Sequence, residues 1–493
     1  MAMSGRVVLE RKTGRIKVMD THQETQSIRF KITQKMQQAG IANSRIEAFL
    51  ASVTQVASGD SGLIGEQDIE PAGDLIRLED LESNETEDAT LLNQLACIKL
   101  NGGLGTGMGL DQAKSLMPVK GEDTFLDFIA RQALYLREKS GSDRPAFYLM
   151  NSFSTQDDTL NYLEKFPSLT NGDDRIDFLQ GKVPKLDAQT LEPVQYDPNP
   201  ELEWCPPGHG DLYASLQAEN LLDSLLDRGI IYAFISNSDN LGATIHQGLL
   251  KYFAESGNAF MMEVARRTPS DKKGGHLAKR MADGRLILRE SAQCPKEDIP
   301  SFQDTDRHRY FNTNNLWIRL DLLKQTLEKQ QGVFPLPLIR NSKTVDPKDP
   351  GSQKVLQLES AMGAAIACFD QTCAIEVDRK RFSPVKTTSD LLNLRSDAYA
   401  ITQDHRLVLS EERSGIPPLV QLDTDYFKTI DAFDQRFRNA VPSLVDCDAL
   451  TIKGPVTFDE GVILRGKTRF ENHSGKEQLV ATGIYENTEK IWE

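Results

Sequence analysis

Apolar side chains recur at helical spacing from Ser27 to Val56 and then stop. The stretch that follows, ASGDSGLIGEQDIEPAGD (57–74), is rich in Gly, Asp and Ser and reads as a connector. At Leu95 the texture changes. The apolar run LACIKL (95–100) enters a glycine-rich turn. It is followed by TFLDFIARQALYLREKS (124–140), whose Phe125, Phe128, Ile129 and Leu136 share one helical face with a polar exception at Gln132. PAFYLM (145–150) predicts a second strand, DLYASLQAENLLDSLLDRG (211–229) a helix that Gly229 can close, and IIYAFIS (230–236) a third, buried strand. Strands alternating with helices imply a largely parallel sheet covered on both faces. Ligands of such sheets sit at the carboxyl ends of the strands, which directs attention to the loops after Leu100 and Ser236.

The C-terminal pattern differs in kind. Leu444, Leu450, Val456 and Val462 recur every six residues, as do Ile452, Phe458, Leu464 and Phe470. A six-residue period with one inward apolar position per side predicts a parallel β-helix, and a plain β-meander would rarely keep so strict a count. The expected division is residues 1–90 as a helical region and connector, 91–400 as the main α/β domain and 401–493 as the β-helix.

Composition narrows the class of protein. At 39% hydrophobic and 26% charged, the chain has a globular profile and enough length for a sizeable core. The longest apolar stretches, such as Gly229–Ser236 and Ala361–Phe369, are too short for a membrane span. The N-terminal segment carries charges without an apolar core or cleavage site, so no secretory signal is expected and a cytoplasmic protein is. A net charge of −15 argues against nucleic-acid backbone binding, so any anionic ligand must be held locally. Cys97, Cys205, Cys294, Cys368, Cys373 and Cys447 are scattered without a CxxC pair, which argues against zinc ligation and a disulfide framework alike and leaves them mostly as small buried residues.

Chemistry begins at KLNGGLGTGMGLDQAKS (99–115). Glycines directly after a strand let backbone N–H groups approach a nucleotide closely. The string is neither a phosphate-binding loop of the Walker type, since Ala113 precedes Lys114-Ser115, nor a GxGxxG fingerprint, since Met108 fills the third glycine position. It resembles the nucleotide loop of the eukaryotic-type UTP-glucose-1-phosphate uridylyltransferase family, close to KLNGGLGTxMGxxxPKS, with Ala113 where the family has proline. Further segments resemble that family in the same order: PPGHGDLYASL (206–216), SNSDNLGAT (236–244), KGGHL (273–277), FNTNNLWI (311–318), LQLESAMGAAI (356–366) and RFSPVKTTSDLL (381–392).

The resemblance implies a Rossmann-like, doubly wound nucleotidyltransferase domain of the GT-A type with a left-handed C-terminal β-helix. It also implies the reaction of UTP with glucose 1-phosphate to UDP-glucose and pyrophosphate. The attacking phosphate is already an anion, so the protein needs no nucleophile or base of its own. It must hold two polyanions together and neutralise the charge that builds between them. By resemblance, Asp239 is the Mg²⁺ ligand, with the cap of a following helix as the alternative use of that side chain. Lys114 and Lys386 are the catalytic phosphate lysines, and Lys343 is a possible assistant. Leu100, Asn101, Gly102, Gly103, Gln180 and Gly208 are implied at the nucleotide. His209, Asn237, Gly275, Glu290, Asn312 and Asn314 are implied at the sugar phosphate, where amides and a carboxylate suit hexose hydroxyls. The period of two places Asn312 and Asn314 on one face of a strand.

Three other readings set limits. A glycosyltransferase would carry a DxD motif where this chain has Asn237-Ser238-Asp239. A non-catalytic nucleotide-sugar-binding subunit would have no need of Lys114, Asp239 and Lys386 together. Enzymes for N-acetylglucosamine 1-phosphate or for several sugars have loops closer to AGGxGTRLG than to LNGGLGTGMG. A homo-oligomer through the β-helix is open.

Overall fold

The computed structural model of the chain describes residues 21–81, 89–170, 175–268, 271–437 and 440–493. The N-terminal segment read for a signal, residues 1–20, lies outside them. Helices Thr21–Gln38 (α1) and Asn43–Ala57 (α2) form the predicted helical region, with Ile46, Phe49, Leu50 and Val53 buried along one side of α2. The connector does more than connect. Its strand Ile69–Pro71 (β1), and Ile76–Arg77 (β2) just after it, pair with strands of the central sheet far away in sequence.

That sheet is built on Leu95–Asn101 (β3), Ala146–Asn151 (β4), Asp177–Leu179 (β5), Tyr232–Asn237 (β6), Phe260–Arg266 (β7), His276–Arg280 (β8), Leu286–Arg289 (β9) and Tyr310–Arg319 (β10). Leu338–Thr344 (β11) and Lys354–Ser360 (β12) form a smaller, three-stranded sheet with the short strand Leu186–Asp187 before Thr372–Glu376 (β13) returns to the main one. The main order is β2-β13-β7-β10-β6-β3-β4-β5, with β8 and β9 branching off beside β10. Along this order neighbours are parallel except at β10, which runs antiparallel to both β6 and β7, while the branch of β1, β8 and β9 pairs antiparallel throughout. The sheet is mixed and predominantly parallel.

Side-chain alternation makes the two faces. Leu95 and Cys97 of β3 and Tyr232 and Phe234 of β6 enter one core, packed under helix Phe125–Ser140 (α3). Ala96, Ile98 and Leu100, with Ala233 and Ile235, enter the other, under Leu212–Ala218 (α4) and Leu221–Asp227 (α5). The single helix expected over 211–229 is thus two, broken where Asn220 takes a left-handed φ of 56°. Gln132, the polar exception in α3, is buried and donates to the His405 carbonyl at 2.9 Å. A buried amide is tolerated there because it is hydrogen-bonded.

Strand β3 continues through α3 to β4 on one side, while β6 pairs with its other side. The reversal opens a crevice at the carboxyl ends of β3 and β6, where the glycine loop and Asp239 begin. At the other end of the chain, Leu444, Leu450, Val456, Val462, Ile452, Phe458, Leu464 and Phe470 are all buried. Strands Leu419–Leu422 (β14), Cys447–Lys453 (β15), Val456–Phe458 (β16), Val462–Asn472 (β17), Gln478–Val480 (β18), Gly483–Glu486 (β19) and Glu489–Trp492 (β20) pair only in parallel. Ile452 stands opposite Phe470, three six-residue steps on. Among the described residues no helix is long and apolar enough to cross a membrane, and all six cysteines are free.

Candidate active site

Lys114 reaches across the mouth of the crevice. Its ammonium lies 2.6 Å from Asp239 Oδ2 and also donates to the Val385 carbonyl, with the two charged side chains 18% and 24% exposed. The loop geometry explains how. Lys114 N donates to the Gly103 carbonyl at 3.1 Å, folding residues 104–113 into a closed lobe whose end returns to the strand that launched it. Ala113, at the family's proline position, is buried with φ −54°, within the range proline itself would adopt. Proline is therefore not needed to aim Lys114.

Asp239 sits in a turn rather than at a helix start. The next helix, Gln247–Ser256 (α6), begins eight residues later and is capped by His246, so the capping alternative for Asp239 is overturned. Val385 N donates to the Asp239 carbonyl, and Asn240 bridges to Pro384, which brings the Lys386 loop against the Asp239 turn. Lys386 is exposed, its ammonium 6.0 Å from the Phe382 ring centroid.

The nucleotide candidates converge. A Cβ on Gly102 would lie 2.9 Å from Gln180 Oε1, while Gln180 Nε2 donates to the Gly208 carbonyl at 2.9 Å. Gly208 has φ 82° and ψ 169°, a region only glycine enters readily, and a Cβ there would collide with the Ser360 backbone. Gly103 faces open space. Asn101 turns its side chain inward to Asn151 and Thr159, at 2.8 and 2.9 Å, so only its backbone is available. The Leu100 carbonyl accepts from Ser238 N at 3.0 Å, and Leu100 pairs with Asn237 across the parallel β3–β6 register.

The opposite wall carries the sugar candidates. His209 Nδ1 accepts the Met362 N–H at 2.9 Å, which leaves the ring's other nitrogen as a donor. Burial lowers the His209 pKa to about 4, so the ring is neutral near pH 7. Asn312 Nδ2 donates to Asn314 Oδ1 at 2.8 Å, and a Cβ on Gly363 would meet Asn312 at 2.6 Å. The two asparagines do meet, but strict alternation is not the reason. Asn314 has φ 60°, and β10 slips register against β7 between Glu263 and Val264, forming a bulge that brings the amides together. Glu290 folds its carboxylate over Gly275, where a Cβ would lie 2.6 Å from Oε2. Burial raises the Glu290 carboxyl, and the Lys386 charge opposes that shift. Lys343 is not brought in: it pairs with Val355, while Ser360, which touches Gly208, pairs with Leu338 at the far end of β11. Lys343 is five residue steps along β11 from Leu338, roughly 16 Å.

Beneath the site is a polar network that sequence reasoning missed. Arg381 holds Glu263 through two bonds of 2.7 and 2.9 Å, and Asn315 and Trp317 donate to the same carboxylate. Arg381 also donates to Thr244, while its carbonyl accepts from Asn240 and Asn315. One buried carboxylate thereby ties the Asp239 turn to the Lys386 loop. The available signal was a glutamate inside the apolar run FMMEVA.

Among the described residues no cluster of three or more His, Cys, Asp or Glu could hold a metal ion by itself. A single half-buried carboxylate at a phosphate site suits Mg²⁺, which takes one or two carboxylates and completes its shell with phosphate oxygens and water.

Comparison with known proteins identifies the family of the chain. The sequence profile of a family described as "UTP--glucose-1-phosphate uridylyltransferase" matches residues 46–465. The chain is 37% identical over 450 residues to the protein of that name from Solanum tuberosum, covering 90% of this chain and 91% of the relative. It is 40% identical over 416 residues to the one from Saccharomyces cerevisiae, covering 81% and 80%. Crystal structures of a UDP-glucose pyrophosphorylase mutant from Leishmania major (43% identity, TM-score 0.89, 94% and 99% covered) and a Trypanosoma brucei protein (47%, 0.86, 95% and 100%) share the fold. Another Leishmania major mutant, solved in complex with UDP-glucose, is 44% identical at a TM-score of 0.88, with 94% of this chain and 99% of that chain covered. This chain belongs to the UTP–glucose-1-phosphate uridylyltransferase family.

Proposed function

We propose that this protein joins UTP to glucose 1-phosphate, releasing pyrophosphate and forming UDP-glucose. The observation that carries the reading is the Lys114–Asp239 pair at the mouth of the crevice. Val385, which both members of the pair bond, directly precedes Lys386, whose charge acts on the Glu290 that covers Gly275, in a chain whose relatives bear that activity in their names. A phosphate oxygen of the sugar attacks the α-phosphorus, forming one P–O bond, while the bond from that phosphorus to the α–β bridging oxygen breaks and its electron pair leaves with pyrophosphate. Gln180 and the Gly208 backbone present amide and carbonyl groups to the edge of uracil. His209 stays neutral and donates from its free nitrogen to the sugar-phosphate side. Lys114 takes up the triphosphate and Lys386 the transferring phosphate, where preorganised cations lower the barrier most. Asn237, Asn312, Asn314 and Glu290 orient the hexose hydroxyls. Asp239 would hold Mg²⁺, which when bound supplies charge neutralisation between the two polyanions.

Further parts of the reading rest on sequence and arrangement. The all-parallel C-terminal strands with their buried six-residue repeat support a left-handed β-helix, and its last strands would offer an edge for a homo-oligomer. Residues 91–400 form the catalytic unit, and a cytoplasmic location fits substrates that are cell metabolites. A pyrophosphate-release screen of UTP, dTTP, ATP and GTP against glucose, galactose and N-acetylglucosamine 1-phosphates tests the function. UTP with glucose 1-phosphate is expected to give the highest kcat/KM, EDTA to abolish turnover, and Asp239→Asn to lose most of it with the fold intact. A preference for N-acetylglucosamine 1-phosphate refutes the sugar assignment, and undiminished turnover of Asp239→Asn removes that residue from the reaction.

A further inference from the structure

A second cavity, of about 400 Å³, lies on the α3 face of the sheet and shares no lining residue with the crevice described above. Lys99 lines it, at 3% exposure. Its ammonium donates to Ser236 Oγ at 2.7 Å and to the Ala243 carbonyl at 2.6 Å, with the Phe234 ring centroid 5.5 Å away. All are neutral partners. Among the described residues no carboxylate forms an ion pair with Lys99; burial lowers its pKa, and Glu263, the carboxylate whose charge opposes that shift, is already held through both oxygens by Arg381. Buried charges are ordinarily paired. The Lys99 side chain has only neutral hydrogen-bond partners and lines the cavity, so a carboxylate bound there would meet its ammonium.

The rest of the lining has the same bias. Ile129, Ala133 and Leu136 of α3 supply an apolar wall, while Lys139 and Arg406 add two exposed cations. The one acid that lines it, Asp404, is bound to Arg406 at 2.6 Å. In a chain of net charge −15 this is a local positive lining. The volume falls in the range of small-molecule sites.

We propose that this cavity is a regulatory site for a small amphipathic carboxylate, whose anionic head pairs with Lys99 and whose short aliphatic or aromatic body lies against α3. Its route to the active site is short. Lys99 directly precedes Leu100, Ser236 directly precedes Asn237, and Ala243 ends the turn that begins at Asp239, so one ammonium holds three of the segments that shape the crevice. A carboxylate that draws Lys99 from the Ala243 carbonyl loosens the Asp239 turn and weakens UTP binding. The coupling rests on the UTP reading of the crevice, whereas occupation of the cavity does not.

Calorimetric titration of the full-length protein with octanoate, and with octanamide as its uncharged counterpart, tests both parts. Octanoate is expected to bind one to one and at least about tenfold more tightly than the amide, since an ion pair to a buried ammonium distinguishes them. Ala133→Leu, which fills the cavity, and Lys139→Glu, which reverses a charge in its lining, should each weaken octanoate binding while leaving turnover without octanoate unchanged. Saturating octanoate should raise the Kd for UTP severalfold in the wild type but not in Ala133→Leu. Equal binding of acid and amide, or octanoate binding undisturbed in both folded variants, overturns the site. Tight binding with an unchanged UTP Kd overturns the regulation, and absence of any UTP binding points instead to failure of the crevice assignment.

Discussion

Lys114 is ion-paired with Asp239, the carboxylate proposed for Mg²⁺, and this predicts that Lys114→Ala will have opposite effects on two ligands. At about 4 Å between charge centres and an effective dielectric near 20, the Lys114–Asp239 attraction is roughly 4 kcal/mol before solvation is counted. Both side chains are about a fifth exposed, so desolvation and screening cancel much of that. A residual coupling of about 1.4 kcal/mol corresponds to a factor of ten. Removing Lys114 should therefore tighten divalent-metal binding to the free protein by about tenfold. The same change deletes a cation from the triphosphate site; losing one partner of a charge pair at a binding site commonly costs ~3 kcal/mol and should weaken UTP about a hundredfold. Manganese titration followed by electron paramagnetic resonance reads the first effect without nucleotide, and calorimetry with UTP reads the second. If Lys114→Ala leaves metal affinity unchanged or lowers it, Lys114 does not compete for Asp239 and the placeholder reasoning is refuted.

Lys386 is exposed and free of the Asp239 pair, so Lys386→Ala should lower kcat far more than UTP affinity; parallel losses in steady-state kinetics and a UTP titration would make it a binding residue instead. Gly208→Ala places a Cβ 2.9 Å from Ser360 N, and closer still to its carbonyl oxygen, at a glycine-only φ and ψ. It should cost about 1–3 kcal/mol locally and weaken UTP at least about tenfold, whereas wild-type Tm and affinity would show the Gln180–Gly208 contact to be irrelevant. Stability should also fall on acidification before most carboxylates titrate. His209 and His276 are buried with pKa values near 4 and 2, below the unfolded value near 6.5, so the unfolded chain binds more protons below pH 6.5. Their contribution is complete above that pH and is lost as pH falls, over about 6.5 to 4 for His209, where it amounts to ~3 kcal/mol. Glu290, whose carboxyl burial raises, acts in the opposite sense. Urea midpoints that stay level from pH 8 to 5 would contradict this, and His209→Asn should flatten part of the slope.

The sequence by itself determined what depends on local pattern and on chemistry carried by short strings. Alternating apolar residues in 95–100 and 230–236 fill two cores because side chains on a strand point to opposite faces, and the six-residue repeat after Leu444 is buried at every quoted position. Lys114, Asp239 and Gly208 could be named because their motifs require particular residue types at fixed spacing. Tertiary structure alone decided how these meet. The pairings of β1 and β2, Asn220's break in the helix over 211–229 and the bulge that joins Asn312 to Asn314 depend on partners distant in sequence, which no local period encodes. The same holds for Glu263 under the Asp239 turn and for Lys99 beside its cavity. Each looks like a lone charge in an apolar strand, and only the packing of other segments around it shows whether it has a partner.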